Sequence, residues 1–144
     1  MKLAIGSDHG GLKYKNLIIE HLINKGHVVS DAGTFEETSC DYPIFGFKVA
    51  EQVANGDAQL GVLICTSGEG IMMAANKVKG VRCALGYNDE VTILSRQHNN
   101  ANIISFGEKF MDIEDVLRRV DLFIETDFEG GRHARRVNLI DEYK

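Results

Sequence analysis

The sequence predicts an α/β fold: a doubly wound sandwich around a five-stranded parallel sheet of order 2-1-3-4-5, with one more helix at the C-terminus. Three observations predict it. Short apolar runs alternate with segments of helical period along the 144 residues. The run at 60–65, LGVLIC, has no polar alternation, as in strands buried on both faces. Gly6, Gly26 and Gly56 punctuate the boundaries between these segments.

The first strand is KLAI at 2–5, closed by Gly6. A helix is predicted over 12–25, with Leu12, Ile19, Leu22 and Ile23 on one face and Gly26 as its stop. HVV at 27–29 reads as the second strand. A loop holding the sole proline, Pro43, leads into a helix carrying Ile44, Phe47, Ala50 and Val53. The third strand, 60–65, precedes a helix at 71–78, IMMAANKV. A strand at 81–85, a helix at 89–98 and a strand at 102–106 follow. Asp112 reads as the cap of a helix whose apolar face is Ile113, Val116, Leu117, Val120 and Ile124, with Asp115 completing a capping-box variant. A last helix starts near Arg132. No repeat, linker or low-complexity tract interrupts the chain, so residues 1–144 read as one domain.

Composition excludes several function classes. Apolar residues at 44% and charged residues at 26% are ordinary for a soluble globular protein. A net charge of −5 argues against nucleic-acid binding. No run approaches the ~20 apolar residues of a membrane span. The three cysteines, Cys40, Cys65 and Cys83, form no C-x-x-C, and no His-Glu-x-x-His occurs, so neither a disulfide framework nor a zinc site is expected. Free thiols fit a reducing cytoplasm.

In this architecture ligands bind beyond the carboxyl ends of the strands, where the strand order reverses. The two loops that meet there are GSDHGG (6–11) and TSGEG (66–70). Gly68 and Gly70 let the second loop bring backbone N–H groups close to a phosphate or a developing oxyanion. It is neither a Walker A loop nor a dinucleotide fingerprint, so no nucleotide cofactor is expected. Cys65 enters this loop and is either an apolar strand-end filler or a thiolate favoured by the helix start. A thiolate there can take a proton α to a carbonyl. Asp8 either caps the next helix or faces Cys65 together with His9. His98 and Asn99 precede strand five at its entrance, away from the site end, so they are expected to act on a neighbouring subunit if they act. Arg132 and Arg136, at i and i+4, are either a solvated basic face or two forks for a phosphate dianion. Together these parts suit cofactor-free proton transfer on a small phosphorylated carbonyl compound.

Several blocks carry a specific resemblance: GSDHGG, DYP (41–43), ICTSGEGI (64–71), AANK (74–77), SRQHNNAN (95–102), FGEK (106–109) and EGGRHARRV (129–137). In their order they resemble the family of ribose-5-phosphate isomerase B and the galactose-6-phosphate isomerase subunits. The resemblance implies a Rossmann-like fold, a dimer or tetramer, and sites shared between two chains. It implies that Cys65 moves the proton between C1 and C2 of ribose 5-phosphate and ribulose 5-phosphate through an enediolate. Asp8 and Ser67 would handle hydroxyl protons, and His98 would open the furanose. Asn99 and the backbone of Ser67 to Gly70 would hold the enediolate. His9, Arg132 and Arg136 would bind phosphate, with Lys109 where the family often has arginine, and Tyr42 would line the site. Thr66 and Ser67 stand where the family usually has glycine and threonine. Glu69 stands where a small or apolar residue is common, and Ile71 where members lacking the cysteine carry glutamate. A hexose 6-phosphate such as allose or galactose 6-phosphate remains an alternative substrate, and a non-catalytic sugar-phosphate-binding protein an alternative of another class.

Overall fold

A computed structural model describes residues 1–144. Five parallel strands form one sheet: β1 (Lys2–Ser7), β2 (Val28–Asp31), β3 (Leu60–Cys65), β4 (Cys83–Leu85) and β5 (Ile103–Gly107). The helices are α1 (Leu12–Asn24), α2 (Tyr42–Ala54), α3 (Glu69–Ala75), α4 (Asp89–Gln97), α5 (Ile113–Glu125) and α6 (Arg132–Glu142), with a 3-10 turn at His9–Gly11. No helix is long and apolar enough to cross a membrane.

The strand order is 2-1-3-5-4, which corrects the expected 2-1-3-4-5. Burial explains the exchange. All of β5 is buried, whereas β4 has three residues, two of them half-exposed. The longer apolar strand takes the inner position beside β3, and the short one becomes the edge. The exchange sets Cys65 opposite Gly107 at the carboxyl end of the sheet.

Two apolar layers sandwich the sheet. One gathers Leu3, Ile5, Ile64 and Phe106 with Ile18 and Leu22 of α1 and Val116, Val120 and Phe123 of α5. The other joins Ala4, Leu63 and Ile103 to Val49 and Val53 of α2 and Ile71 of α3. All six residues of β3 are buried, as its unbroken apolar run predicts.

Several local expectations need correction. On α1 the buried positions are Lys15, Ile18 and Leu22, while Ile23 is exposed. An apolar count skips a lysine, yet Lys15 reaches through the layer to Asp31 at 2.8 Å. On α2, Gly46, Val49, Ala50 and Val53 face inward, and Ile44 and Phe47 face solvent. Helix α3 starts at Glu69 and ends at Ala75, earlier at both ends than 71–78. The Asp112 side chain makes no cap hydrogen bond, so Asp112 and Asp115 form no box; Asp115 instead accepts from Arg118.

Candidate active site

The loops after β1 and β3 meet as the switch point predicts. Between them lies a cavity of about 350 Å³ lined by Asp8, Tyr42, Cys65, Thr66, Ser67 and Gly70. Small residues make the close approach possible. A Cβ on Gly11 would lie 2.5 Å from the Ile64 carbonyl oxygen, and one on Gly10 2.3 Å from Thr66 Oγ1. Gly68 adopts φ +82°, and a Cβ there would come within 2.9 Å of the Phe106 backbone.

Cys65 ends β3 with 5% of its surface exposed. Its Sγ accepts a hydrogen bond from Gly68 N–H at 3.1 Å. One N–H of the loop is therefore already turned toward the sulfur rather than free for a ligand. Ser67 Oγ accepts from Glu69 N–H at 3.2 Å. The N–H groups of Ser67 and Gly70 find no acceptor in the protein, and both residues line the cavity. Both are free to serve an anion in the cavity.

The loop is held from behind by β5, an arrangement that follows from the observed strand order. Ser105 Oγ, fully buried, donates to the Gly68 carbonyl at 2.7 Å. Glu108 N–H and Lys109 N–H donate to the carbonyls of Cys65 and Thr66. Sequence reasoning missed Ser105; a serine inside the apolar run NIISF was the available signal.

Asp8 is 6% exposed and does cap the 3-10 turn, its Oδ1 accepting from Gly10 N–H at 2.9 Å. It also lines the cavity, so the two readings of this residue are compatible. Tyr42 opens α2 with its ring against Gly70, where a Cβ would lie 2.7 Å from the ring carbons. His9 points away, at the edge of a second hollow of about 600 Å³ that also carries Lys13, Glu20, Glu37 and Glu108. Its Nδ1 accepts from Cys40 N–H at 3.2 Å, which leaves Nε2 for a ligand. Lys109 is exposed, its ammonium 5.8 Å from the Phe110 ring centre.

Other expected site residues are not brought to this cavity within one chain. Asn99 lines a groove with Arg82, Cys83, Ala101 and Ile140. It precedes β5, whose first residue pairs with Gly61 and whose last pairs with Cys65. Four strand steps, about 13 Å, thus separate the two ends of the sheet. His98 caps the carboxyl end of α4 and stacks on His133 of α6, with ring centres 4.2 Å apart. Arg132 and Arg136 are exposed on α6. That helix buries only Val137 and is tied back by Arg82 to Asp141 at 2.8 Å. Sequence reasoning placed His98 away from its own cavity but did not foresee its pairing with His133 and Glu129.

Comparison with known proteins gives one consistent picture. Residues 3–140 match the sequence model of the Ribose/Galactose Isomerase family. A probable ribose-5-phosphate isomerase B of Mycoplasma genitalium is 45% identical over 99% of this chain and 95% of that protein. Ribose-5-phosphate isomerase B of Escherichia coli is 40% identical over 96% of this chain and 93% of that one. Among solved structures, ribose-5-phosphate isomerase B of Clostridium thermocellum superposes with a TM-score of 0.97 at 46% identity, covering 99% and 96% of the two chains. The Mycoplasma genitalium enzyme with bound ribulose 5-phosphate gives 0.95 at 44% identity, covering 99% and 95%. By the extent of these matches over the same strand–loop–helix frame, the chain belongs to the Ribose/Galactose Isomerase family.

Proposed function

We propose that this chain interconverts ribose 5-phosphate and ribulose 5-phosphate, working as a single domain over 1–144 in a homo-oligomer. The observation that carries the reading is the Cys65 cavity: a buried thiol, a buried carboxylate at Asp8 and two free N–H donors converge on one hollow. In the isomerisation the C2 proton passes to Cys65 and then to C1, while the O1 and O2 hydroxyl protons exchange through Asp8 and Ser67. Charge that builds on oxygen in the enediolate meets the N–H groups of Ser67 and Gly70. Bond changes and protons balance within the substrate, so no cofactor or metal is required by the chemistry.

His98 and Asn99 complete the cavity from a second copy, because their own chain holds them at the other end of the sheet. His98 gives a proton to the ring oxygen as the furanose opens, and Asn99 holds the enediolate. His9, Arg132, Arg136 and Lys109 bind the phosphate, again from two copies. Tyr42 and Thr66 shape the wall. Three free cysteines support a cytoplasmic location. The net charge of −5 gives no support to a nucleic-acid partner.

The test follows ketose appearance from ribose 5-phosphate without added metal or nucleotide, with allose 6-phosphate and galactose 6-phosphate in parallel. Preferred turnover of the pentose is expected. Preferred turnover of a hexose phosphate would keep the chemistry and reassign the substrate. No turnover of any of the three would overturn the reading in favour of sugar-phosphate binding.

A further inference from the structure

His98 and His133 stack face to face, with ring centres 4.2 Å apart and planes within 12°. One carboxylate oxygen, Glu129 Oε1, lies 3.6 Å from His98 Nε2 and 3.5 Å from His133 Nε2. The backbone anchors this arrangement: Glu129 N–H donates to the Gln97 carbonyl at 3.0 Å, fastening the loop before α6 to the end of α4. The His133 side chain is only 12% exposed, although it sits on an otherwise exposed helix. Nearly parallel rings send their Nε2 lone pairs side by side instead of to one point. That suits two imidazoles sharing a counter-charge better than two ligands of one cation.

We propose that His133 and Glu129 are positioning residues for His98: His133 is the flat plate that fixes the ring plane, and Glu129 is the counter-charge that faces it. This rests on the isomerase reading, which gives His98 the task of protonating the ring oxygen. The geometry requires a division of labour. Two imidazolium rings 4.2 Å apart repel, so the stack disfavours a second positive charge. Burial, helped by His98, Arg132 and Arg136 and opposed by Glu129, holds the His133 imidazole below its ordinary range. His133 is then the neutral partner, and the carboxylate serves His98. On α4, Arg96 is engaged away from the stack: it donates to the Thr126 and Ala101 carbonyls, with Asp127 as its counter-charge.

In the step served, the C1–O bond of the furanose breaks, His98 gives its proton to the ring oxygen, and the anomeric hydroxyl releases one to the Asp8 carboxylate. The protein's proton count is unchanged.

The experiment compares His133→Ala, His133→Phe and Glu129→Gln in the full chain. His133→Ala is expected to lower kcat roughly tenfold through misorientation of the acid. The fall should be seen with ribose 5-phosphate, a closed furanose, and by microscopic reversibility kcat/KM should fall by the same factor from ribulose 5-phosphate. His133→Phe, which restores a plate without titrating, should recover most of the loss. Glu129→Gln should move the alkaline limb of kcat to lower pH by about 0.5 to 1 unit, because an imidazolium loses its counter-charge. The His98 ring signal in the free protein, followed by NMR through a pH titration, should move with that limb.

A His133→Phe variant as impaired as His133→Ala would overturn the plate. A Glu129→Gln limb and His98 signal at wild-type positions would overturn the counter-charge. An unchanged kcat in His133→Ala would overturn the positioning role altogether. Failure of the isomerase reading itself would show separately, as no turnover by the unaltered chain, while the NMR titration would still report on Glu129.

Discussion

Cys65→Ala is expected to lose roughly 10²- to 10⁴-fold in kcat while the protein stays folded and binds the sugar phosphate. The sulfur lines the cavity, and in the proposed reaction it is the group that exchanges a proton with C1 and C2. Alanine keeps the end of β3 apolar and removes only a small atom from a site that is already 5% exposed. Packing therefore changes little. The phosphate groups assigned to His9 and the arginines are untouched, so binding persists without turnover. Calorimetric titration with ribulose 5-phosphate, beside the kinetic assay, separates the two effects. A variant with near wild-type kcat would remove Cys65 as the proton carrier and turn attention to Asp8. Equal loss of binding and turnover would make the sulfur a binding contact instead.

Asp31→Ala is expected to be the most destabilising polar substitution, at about 2–3 kcal/mol. The Lys15 side chain is fully buried, its ammonium 2.8 Å from both Asp31 oxygens and 3.2 Å from Asn16 Oδ1. The Phe35 ring centre lies 5.2 Å away. Removing the carboxylate leaves a buried cation with one neutral acceptor and a ring face. Asp31 is 31% exposed, so solvent offsets part of the cost. Lys15→Met removes the other partner, fills the layer with apolar volume and leaves Asp31 to water. It should therefore cost less, within about 1 kcal/mol. Urea unfolding of both variants at one protein concentration measures the asymmetry. Equal losses would mean that the pair acts through its mutual bond rather than through burial of the lysine. The effect extends to the site: Asp31 also accepts from Gly33 N–H, and residues 33 and 34 pair with Ser7, the neighbour of Asp8.

The class of fold and the two site loops were legible because they depend on local signals. An unbroken apolar run marks a buried strand, and glycine-rich turns after the first and third strands mark the switch point. Strand order was not legible between β4 and β5. Both runs are apolar, and the decision lies in how much of each the two layers can cover. Lys15 was missed because a lysine that crosses an apolar layer has no periodic signature; its partner sixteen residues on reveals it only in three dimensions. The stacked pair was missed for a related reason. His98 and His133 belong to segments 35 residues apart in the chain, joined by a backbone bond from Glu129 to Gln97.

The placement of Cys65 and His98 at opposite ends of one sheet has a genetic meaning. If each working site draws the thiol from one copy and the imidazole from another, two defective alleles can rescue each other. A chain lacking Cys65 and a chain lacking His98 are each expected to be inactive alone. Mixed in one assembly, they regenerate one intact site out of every two. A random mixture of dimers should then recover about a quarter of wild-type activity. Selection would see the assembly, and not the single polypeptide, as the unit that gains or loses the reaction.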